Sequence, residues 1–239
     1  MTRRFFIQQK VFDGTVLIDG DQAHHAMHVM RFSVGEAVTL FDGTGYEYGA
    51  TIATMGKKNL QLAITSTVLT PPLDVPNVTI AAAIPKGDRQ KFLVEKLVEL
   101  GVARLIPLKT SRSVSVANPN VIERFQKGVI EASKQCGRNY LMQVTPQHSI
   151  AELLALATNE TDTACFLADP DATADLISVS PQSARKRTIA IGPEGGFDPS
   201  EIALFESANW NPVRLGPTIL RIETAAVMSA VLLAMQDQH

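Results

Sequence analysis

Thr188-Ile-Ala-Ile-Gly-Pro-Glu-Gly-Gly-Phe-Asp-Pro-Ser-Glu201 and, a short way on, Leu215-Gly-Pro-Thr-Ile-Leu-Arg-Ile-Glu-Thr-Ala225 share one plan. In each, an apolar strand runs into a Gly/Pro loop and an amphipathic or apolar helix follows at once. Thr188 to Ile191 has the β-branched bias of a buried strand, and Gly192, Gly195 and Gly196 leave one face of the turn without Cβ atoms. Asp198-Pro199-Ser200-Glu201 predicts a helix start, with an N-cap aspartate, Pro at the first helical position and Glu at the third. Neither G-x-x-x-x-G-K-[ST] nor G-x-G-x-x-G occurs, which disfavours a phosphate cradle. Taken alone, the loop is either a ligand-binding wall or a plain strand-to-helix connection. Two such loops close in sequence point to a pocket walled by backbone.

The second loop ends a short strand, Val213 to Leu215, and the chain from Thr224 to Met235 is almost wholly apolar. A helix apolar nearly all round must be buried on most sides, in a core or at a dimer interface. Arg221 and Glu223 stand at its mouth; Glu223 reads equally as a cap, whereas Arg221, between two loop-forming segments, is the stronger functional candidate.

Outward from these loops the chain divides in two. Residues 1–69 carry short alternating segments such as Val16-Leu-Ile18, Ala37-Val-Thr-Leu-Phe41, Tyr46-Glu-Tyr48 and Leu60-Gln-Leu-Ala-Ile64, separated by Gly-containing turns, the pattern of a small β-barrel or meander. Residues 70–76, Thr-Pro-Pro-Leu-Asp-Val-Pro, read as a linker. In 77–239, strands over 78–84, 103–108, 164–168 and 188–191 alternate with helices over 89–100 and 119–136, which predicts an α/β domain with a parallel sheet covered on both faces.

At 239 residues, with 45% hydrophobic composition, the chain can bury one large or two modest cores. Its net charge of −2 means that any contact with nucleic acid rests on local basic patches or on a dimer that concentrates them. Cys136 and Cys165 are too few and too far apart for a disulfide framework or a zinc site, which points to a reducing compartment. No signal peptide or membrane-spanning run is evident, so the expected location is cytoplasmic. His24 and His28 at i, i+4 lack a third ligand, and no metal is expected.

Gly-Pro-Glu-Gly-Gly-Phe at 192–197 and Leu-Gly-x-x-Ile-Leu-Arg-x-Glu-Thr-Ala at 215–225 resemble the signature loops of the RsmE family, the 16S ribosomal-RNA uracil-N3 methyltransferases of the SPOUT class. Further motifs fit in order: Arg4-Phe-Phe6, His24-His25, Val29-Met-Arg31, Lys86-Gly-Asp88, Lys96-Leu-Val-Glu-Leu-Gly-Val102, Pro107-Leu108 with Ser111-Arg-Ser113, and Glu131-Ala-x-x-Gln-x-Gly-Arg138. The resemblance spans nearly the whole chain. It implies a PUA-like β-barrel that helps hold RNA, then a SPOUT parallel sheet with a C-terminal trefoil knot, a topology that propensity alone does not suggest. It also implies a homodimer formed through the knotted region.

The cofactor implied is S-adenosylmethionine. By the resemblance its site is formed by Ile191, Gly192, Gly196, Leu215, Gly216, Ile219, Leu220, Arg221 and Thr224, with Leu167 near the adenine or in the strand core. Backbone donors and acceptors beside apolar walls suit a flat base edged with polar groups. Methylation of N3 requires alignment and loss of the N3 proton. Arg138 is the candidate to stabilise the uracil anion or grip a phosphate. Glu194, the one carboxylate of the first loop, is either a base or a group that caps a helix or pairs with a nearby cation.

Arg3, Arg4, His24, His25, Arg31, Lys86, Arg89 and Arg112 fall in family motifs and are the candidate RNA contacts. Lys96 belongs to a solvated helix face beside Glu95 and Glu99, and Arg185-Lys186-Arg187 reads as a solvated turn. Thr218 stands where the family pattern leads one to expect a basic residue. Two other functions are open: an assembly factor that retains the fold without turnover, and methylation of tRNA ribose or guanine, the work of other SPOUT families that usually lack the barrel.

Overall fold

In the computed structural model, residues 3–8, 11, 14–72, 76–179 and 184–235 are described. Packing divides the chain into two compact units, residues 1–73 with 133–141, and residues 74–132 with 142–239.

The first unit contains β1 (Arg4–Phe6), β2 (Thr15–Ile18), α1 (Gly20–His24), a π-helical turn (His25–Val29), β3 (Ala37–Phe41), β4 (Tyr46–Met55) and β5 (Leu60–Leu69). The sheet order is β1-β3-β4-β5-β2, with β1 parallel to β3 and the other pairs antiparallel. Period-two alternation puts Val16, Ile18, Val38, Leu40, Ile52, Leu60 and Leu62 into one core. Tyr48 is fully buried. Its hydroxyl donates to Asp42 Oδ2 at 3.1 Å and accepts the Val11 N–H at 3.1 Å, and burial raises its titration above the ordinary phenol value.

Residues 133–141 pack with this unit, a division the sequence reading into 1–69 and 77–239 does not contain. The reason lies in one turn. Gly45 adopts φ +103°, and a Cβ there would fall 2.3 Å from the Tyr140 ring, so only glycine lets Tyr140 lie against the backbone. Tyr140 donates to the Thr70 carbonyl at 2.8 Å, and the Asn139 amide donates to Thr70 Oγ1 at 2.7 Å. Of the expected linker 70–76, Leu73 to Val75 lie outside the described residues.

The second unit is built from β6 (Asn77–Ala82), α2 (Arg89–Glu99), β7 (Arg104–Lys109), α3 (Pro119–Cys136), whose last turn passes into the first unit, β8 (Gln143–Val144), β9 (His148–Ser149) and α4 (Ile150–Asn159). It continues through β10 (Thr163–Ala168), α5 (Leu176–Val179), β11 (Lys186–Ile191), α6 (Pro199–Ser207), β12 (Asn211–Val213) and α7 (Ile222–Met235). The strands are parallel in the order β12-β10-β11-β6-β7-β8, and β9 also pairs with β7. Strands covered on both faces read as apolar runs: Ile80, Ala81 and Ala82 in β6 and Ile189 and Ala190 in β11 are buried. Helix α4 carries its own start signal in the sequence. Ser149 and Glu152 form a reciprocal capping box, Ser-x-x-Glu before an apolar run.

Arg187 corrects the expectation of a solvated charge run. Within three residues the chain passes from exposed Arg185 to wholly buried Arg187, because β11 begins at Lys186 and runs between β10 and β6. Arg187 donates to the Leu233 carbonyl at 2.7 Å, satisfying an acceptor in the last turn of α7. Lys96 does sit on a partly exposed face, paired with Glu99 at 2.7 Å. Burial, reinforced by Glu160, pushes the Cys165 thiol up to about 11.

Candidate functional site

The carboxyl ends of β10, β11 and β12 converge on one cavity of about 390 Å³. Ligand crevices of open α/β sheets form at this edge, where strand order changes direction. β11 delivers Gly192 to Phe197, and β12 delivers Arg214 to Leu220.

The first loop is held from both sides. Phe197 turns into the core, edge-on to Phe205 at 5.2 Å, which in turn meets Trp210 at 5.1 Å. Gly192 is pressed against that ring: a Cβ would lie 3.1 Å from it. Gly196, at φ +69°, closes a turn in which its N–H donates to the Pro193 carbonyl at 2.8 Å. The expected capping box is present, with the Asp198 carboxylate accepting the Ser200 N–H at 3.0 Å and Glu201 Oε2 accepting the Asp198 N–H at 2.8 Å. The Ser200 backbone and hydroxyl donors, with Arg112 adding, hold the Asp198 carboxyl below its ordinary value. The cap is therefore intact at neutral pH and is lost only as pH falls through that lowered value.

Glu201 is buried, and its other oxygen, Oε1, accepts the Ser111 N–H at 2.7 Å. One carboxylate thus joins the loop after β7 to the loop after β11. Arg112 reinforces the junction, donating to the Gly195 carbonyl at 2.7 Å and lying 3.6 Å from Asp198. The second loop is held in backbone register by Arg214 N–H to Ala174 carbonyl at 2.8 Å and Leu176 N–H to Arg214 carbonyl at 3.1 Å.

The residues present suit a flat, partly polar ligand. Leu167, Ile191, Leu215 and Leu220 form apolar walls, and Ile219 lines the cavity with 82% of its surface exposed. So large an apolar surface at a cavity mouth is what a bound ring would cover. A Cβ added at Gly196 or Gly216 would meet nothing within 4 Å, so both leave open space beside the backbone.

Eight of the ten expected cofactor residues line this one cavity: Leu167, Ile191, Gly192, Gly196, Leu215, Gly216, Ile219 and Leu220. Arg221 and Thr224 do not line it; both are exposed, the first just before α7 and the second in its first turn. Glu194 is at the cavity, and Arg89 pairs with it at 3.2 Å. The same guanidinium lies 3.8 Å from buried Glu223, so Glu223 faces a cation inside the fold. Arg138 belongs to the first unit, where burial lowers its titration from the ordinary guanidinium value while Cys136 opposes the shift. Thr218 also lines the cavity.

The candidate RNA contacts separate by what they already hold. His24, His25, Arg31 and Lys86 are exposed, and Arg3 sits 3.5 Å from Glu36 with over half its side chain in solvent. Arg4 is largely buried, with 2.6 Å bonds to Glu47 and Asn139 and its guanidinium over Phe41. Arg89 and Arg112 are engaged with the first loop. Three charged cavity residues escaped the sequence reading: Asp169, Asp171 and Arg214. Asp169-Pro170-Asp171 is a turn signal directly after β10, so the carboxyl-edge rule would have found it. No group of three metal-ligating side chains occurs among the described residues.

The RNA methyltransferase domain family matches residues 71–234, and the RNA methyltransferase PUA domain family matches residues 18–65. The chain is similar to the ribosomal RNA small subunit methyltransferase E of Rickettsia conorii, at 30% identity over 99% of this chain and 96% of that protein. The enzyme of the same name from Bacillus subtilis is 28% identical over 99% of this chain and 97% of its own length. Among solved structures, the ribosomal RNA small subunit methyltransferase E of Neisseria gonorrhoeae, bound to S-adenosyl methionine, superposes with a TM-score of 0.86 at 28% identity, covering 96% of this chain and 95% of that one.

Proposed function

The chain belongs to the ribosomal RNA small subunit methyltransferase E family, and from that premise we propose that it methylates N3 of one specific uridine in 16S ribosomal RNA. Its cofactor is S-adenosylmethionine. The observation that carries the reading is the meeting of both glycine loops and Leu167 around one cavity at the carboxyl edge of a parallel sheet. When bound, the cofactor supplies an electrophilic methyl group: the S–CH3 bond breaks as the N3–CH3 bond forms, sulfur leaves as a neutral thioether and the N3 proton departs.

The loop residues hold the donor in one orientation, which converts an encounter between two molecules into a local step. Apolar walls exclude water from the adenine face, while the loop backbone offers donors and acceptors to its edge. For N3 we assign Glu194 to take the proton, with Arg89 to hold it in place, and Arg138 to stabilise the uracil anion. Arg3, His24, His25, Arg31 and Lys86 are assigned to phosphate contacts, which position RNA without reading sequence. Arg4, Arg89 and Arg112 could serve RNA only in competition with the internal partners described above. Arg221 and Thr224, at the mouth of α7, are assigned to the cofactor's outer edge. In this reading the C-terminal segment forms a trefoil knot, and the protein works in the cytoplasm.

Incubating the protein with labelled S-adenosylmethionine and small ribosomal subunits that lack the modification, then mapping the modified base, tests the function. One 3-methyluridine in 16S RNA is expected; incorporation into tRNA instead would overturn the substrate, and no incorporation would favour a non-catalytic assembly factor.

We also assign a homodimer to the face formed by α2, α5 and α7. Phe92, Ile177 and Met228 are 45%, 65% and 39% exposed on these helices, and α7 packs against both others. Sedimentation at micromolar concentration should give about twice the chain mass of 25.9 kDa. A monomer there would refute the assignment.

A further inference from the structure

The cavity keeps an uncompensated negative charge. Five charged side chains line it: Arg112, Asp169, Asp171, Glu194 and Arg214. Three are answered by opposite charges within the second unit. Arg112 lies 3.6 Å from Asp198, Glu194 lies 3.2 Å from Arg89, and Arg214 lies 3.0 Å from Asp175. Asp169 and Asp171 pair with no cation among the described residues. The turn holds them in place: the Asp169 N–H donates to the Val213 carbonyl at 3.0 Å, and the Asp171 N–H donates to Asp169 Oδ1 at 2.9 Å. The glycine loops and apolar walls define the site independently of these aspartates.

We propose that Asp169, assisted by Asp171, makes this cavity select the cationic methyl donor over the neutral thioether product, so that transfer of the methyl group itself loosens the spent cofactor. The inference rests on the assignment of the cavity to S-adenosylmethionine. Donor and product carry the same adenosine and the same ammonium and carboxylate tail; they differ in one methyl group and one positive charge at sulfur. An unpaired carboxylate in a half-buried cavity attracts that charge through a lower effective dielectric than bulk water provides. Asp169 is half-buried whereas Asp171 is exposed and therefore more screened, so Asp169 carries the larger share.

Calorimetric affinities for S-adenosylmethionine, S-adenosylhomocysteine and sinefungin, which places an amine near the sulfur position, test this without turnover. The expected order is donor and sinefungin tighter than product by about tenfold. Asp169→Asn preserves the Oδ1 acceptor for the Asp171 N–H and should bring the three ligands to near parity, chiefly by weakening the two cations. Asp171→Asn should move the ratio in the same direction by less. Equal weakening of all three ligands would place the carboxylates at the shared tail and overturn the proposal, as would an unchanged ratio. Failure of the unaltered protein to bind any of the three would instead sink the cofactor assignment, and the proposal with it. The sinefungin arm separates charge from methyl volume: if only S-adenosylmethionine loses affinity in Asp169→Asn, charge selection is refuted.

Discussion

Arg187→Ala should cost about 3–5 kcal/mol of stability, the range found when a buried polar network loses one member. The side chain is fully buried in β11, level with Ala164 and Val78 on the neighbouring strands, and donates to the Leu233 carbonyl at 2.7 Å. Truncation removes a long side chain from a close-packed site and leaves an acceptor in the last turn of α7 without its donor. For a protein of this size each kcal/mol corresponds to roughly 2–4 °C, so the melting temperature should fall by about 10 °C. Arg187→Met tests the cause: it keeps much of the volume and discards the charge, and buried charges replaced by apolar residues of similar size are often tolerated. It should therefore recover the packing part of the loss, while the Leu233 carbonyl stays without its donor and keeps a cost of about 1–3 kcal/mol. If Ala melts within about 1 kcal/mol of the unaltered protein by urea titration, the buried arginine is not what secures α7 to β11.

That residue also marks where sequence reading stopped. Arg185-Lys186-Arg187 has the look of a solvated run, and composition cannot tell that β11 starts inside it. A strand flanked by β10 and β6 in a sheet covered on both faces buries Arg187 along with the rest of β11, and only the fold supplies the carbonyl that satisfies it. By contrast, the capping box at Asp198 and Glu201 is local chemistry. Its donors and acceptors lie within three residues of one another, so α6 could be placed without tertiary information. The expected 119–136 helix agrees with α3 for the related reason that long periodic segments carry their own signal. Short β8 and β9, two residues each, carry none.

The same distinction runs through the site. Gly192, Gly196, Leu215 and Gly216 were legible because glycine loops and strand ends advertise themselves. Arg89 and Arg112 were legible as basic residues in motifs, but not as clasps on the first loop, since their partners Glu194, Gly195 and Asp198 lie far along the chain. Asp169 and Asp171 were overlooked because a turn after a strand is ordinary until the sheet order shows that β10 ends beside β11 and β12.

Glu201→Ala should weaken S-adenosylmethionine binding by at least about tenfold while lowering stability by about 3 kcal/mol. The Glu201 carboxylate accepts two backbone N–H groups, from Asp198 at 2.8 Å and from Ser111 at 2.7 Å, and charged hydrogen bonds of this kind are each worth about 1.5–3 kcal/mol. Ser111 is exposed, so water can answer its N–H after truncation, which puts the total near the lower end of the sum. The Asp198 N–H lies one residue beyond Phe197, whose ring presses on Gly192. Loss of that anchor shifts the strand-to-loop junction lining the cavity, and alignment of this kind is lost steeply with displacement. Glu201→Gln retains one oxygen acceptor and presents an amide where the other stood, so it should fall between the two. Affinity by calorimetry and unfolding by urea are to be measured on the same preparations. A variant that loses stability yet binds the cofactor within about twofold of the unaltered protein would show that Glu201 supports the fold alone, and that Arg112, through the Gly195 carbonyl, sets the loop by itself.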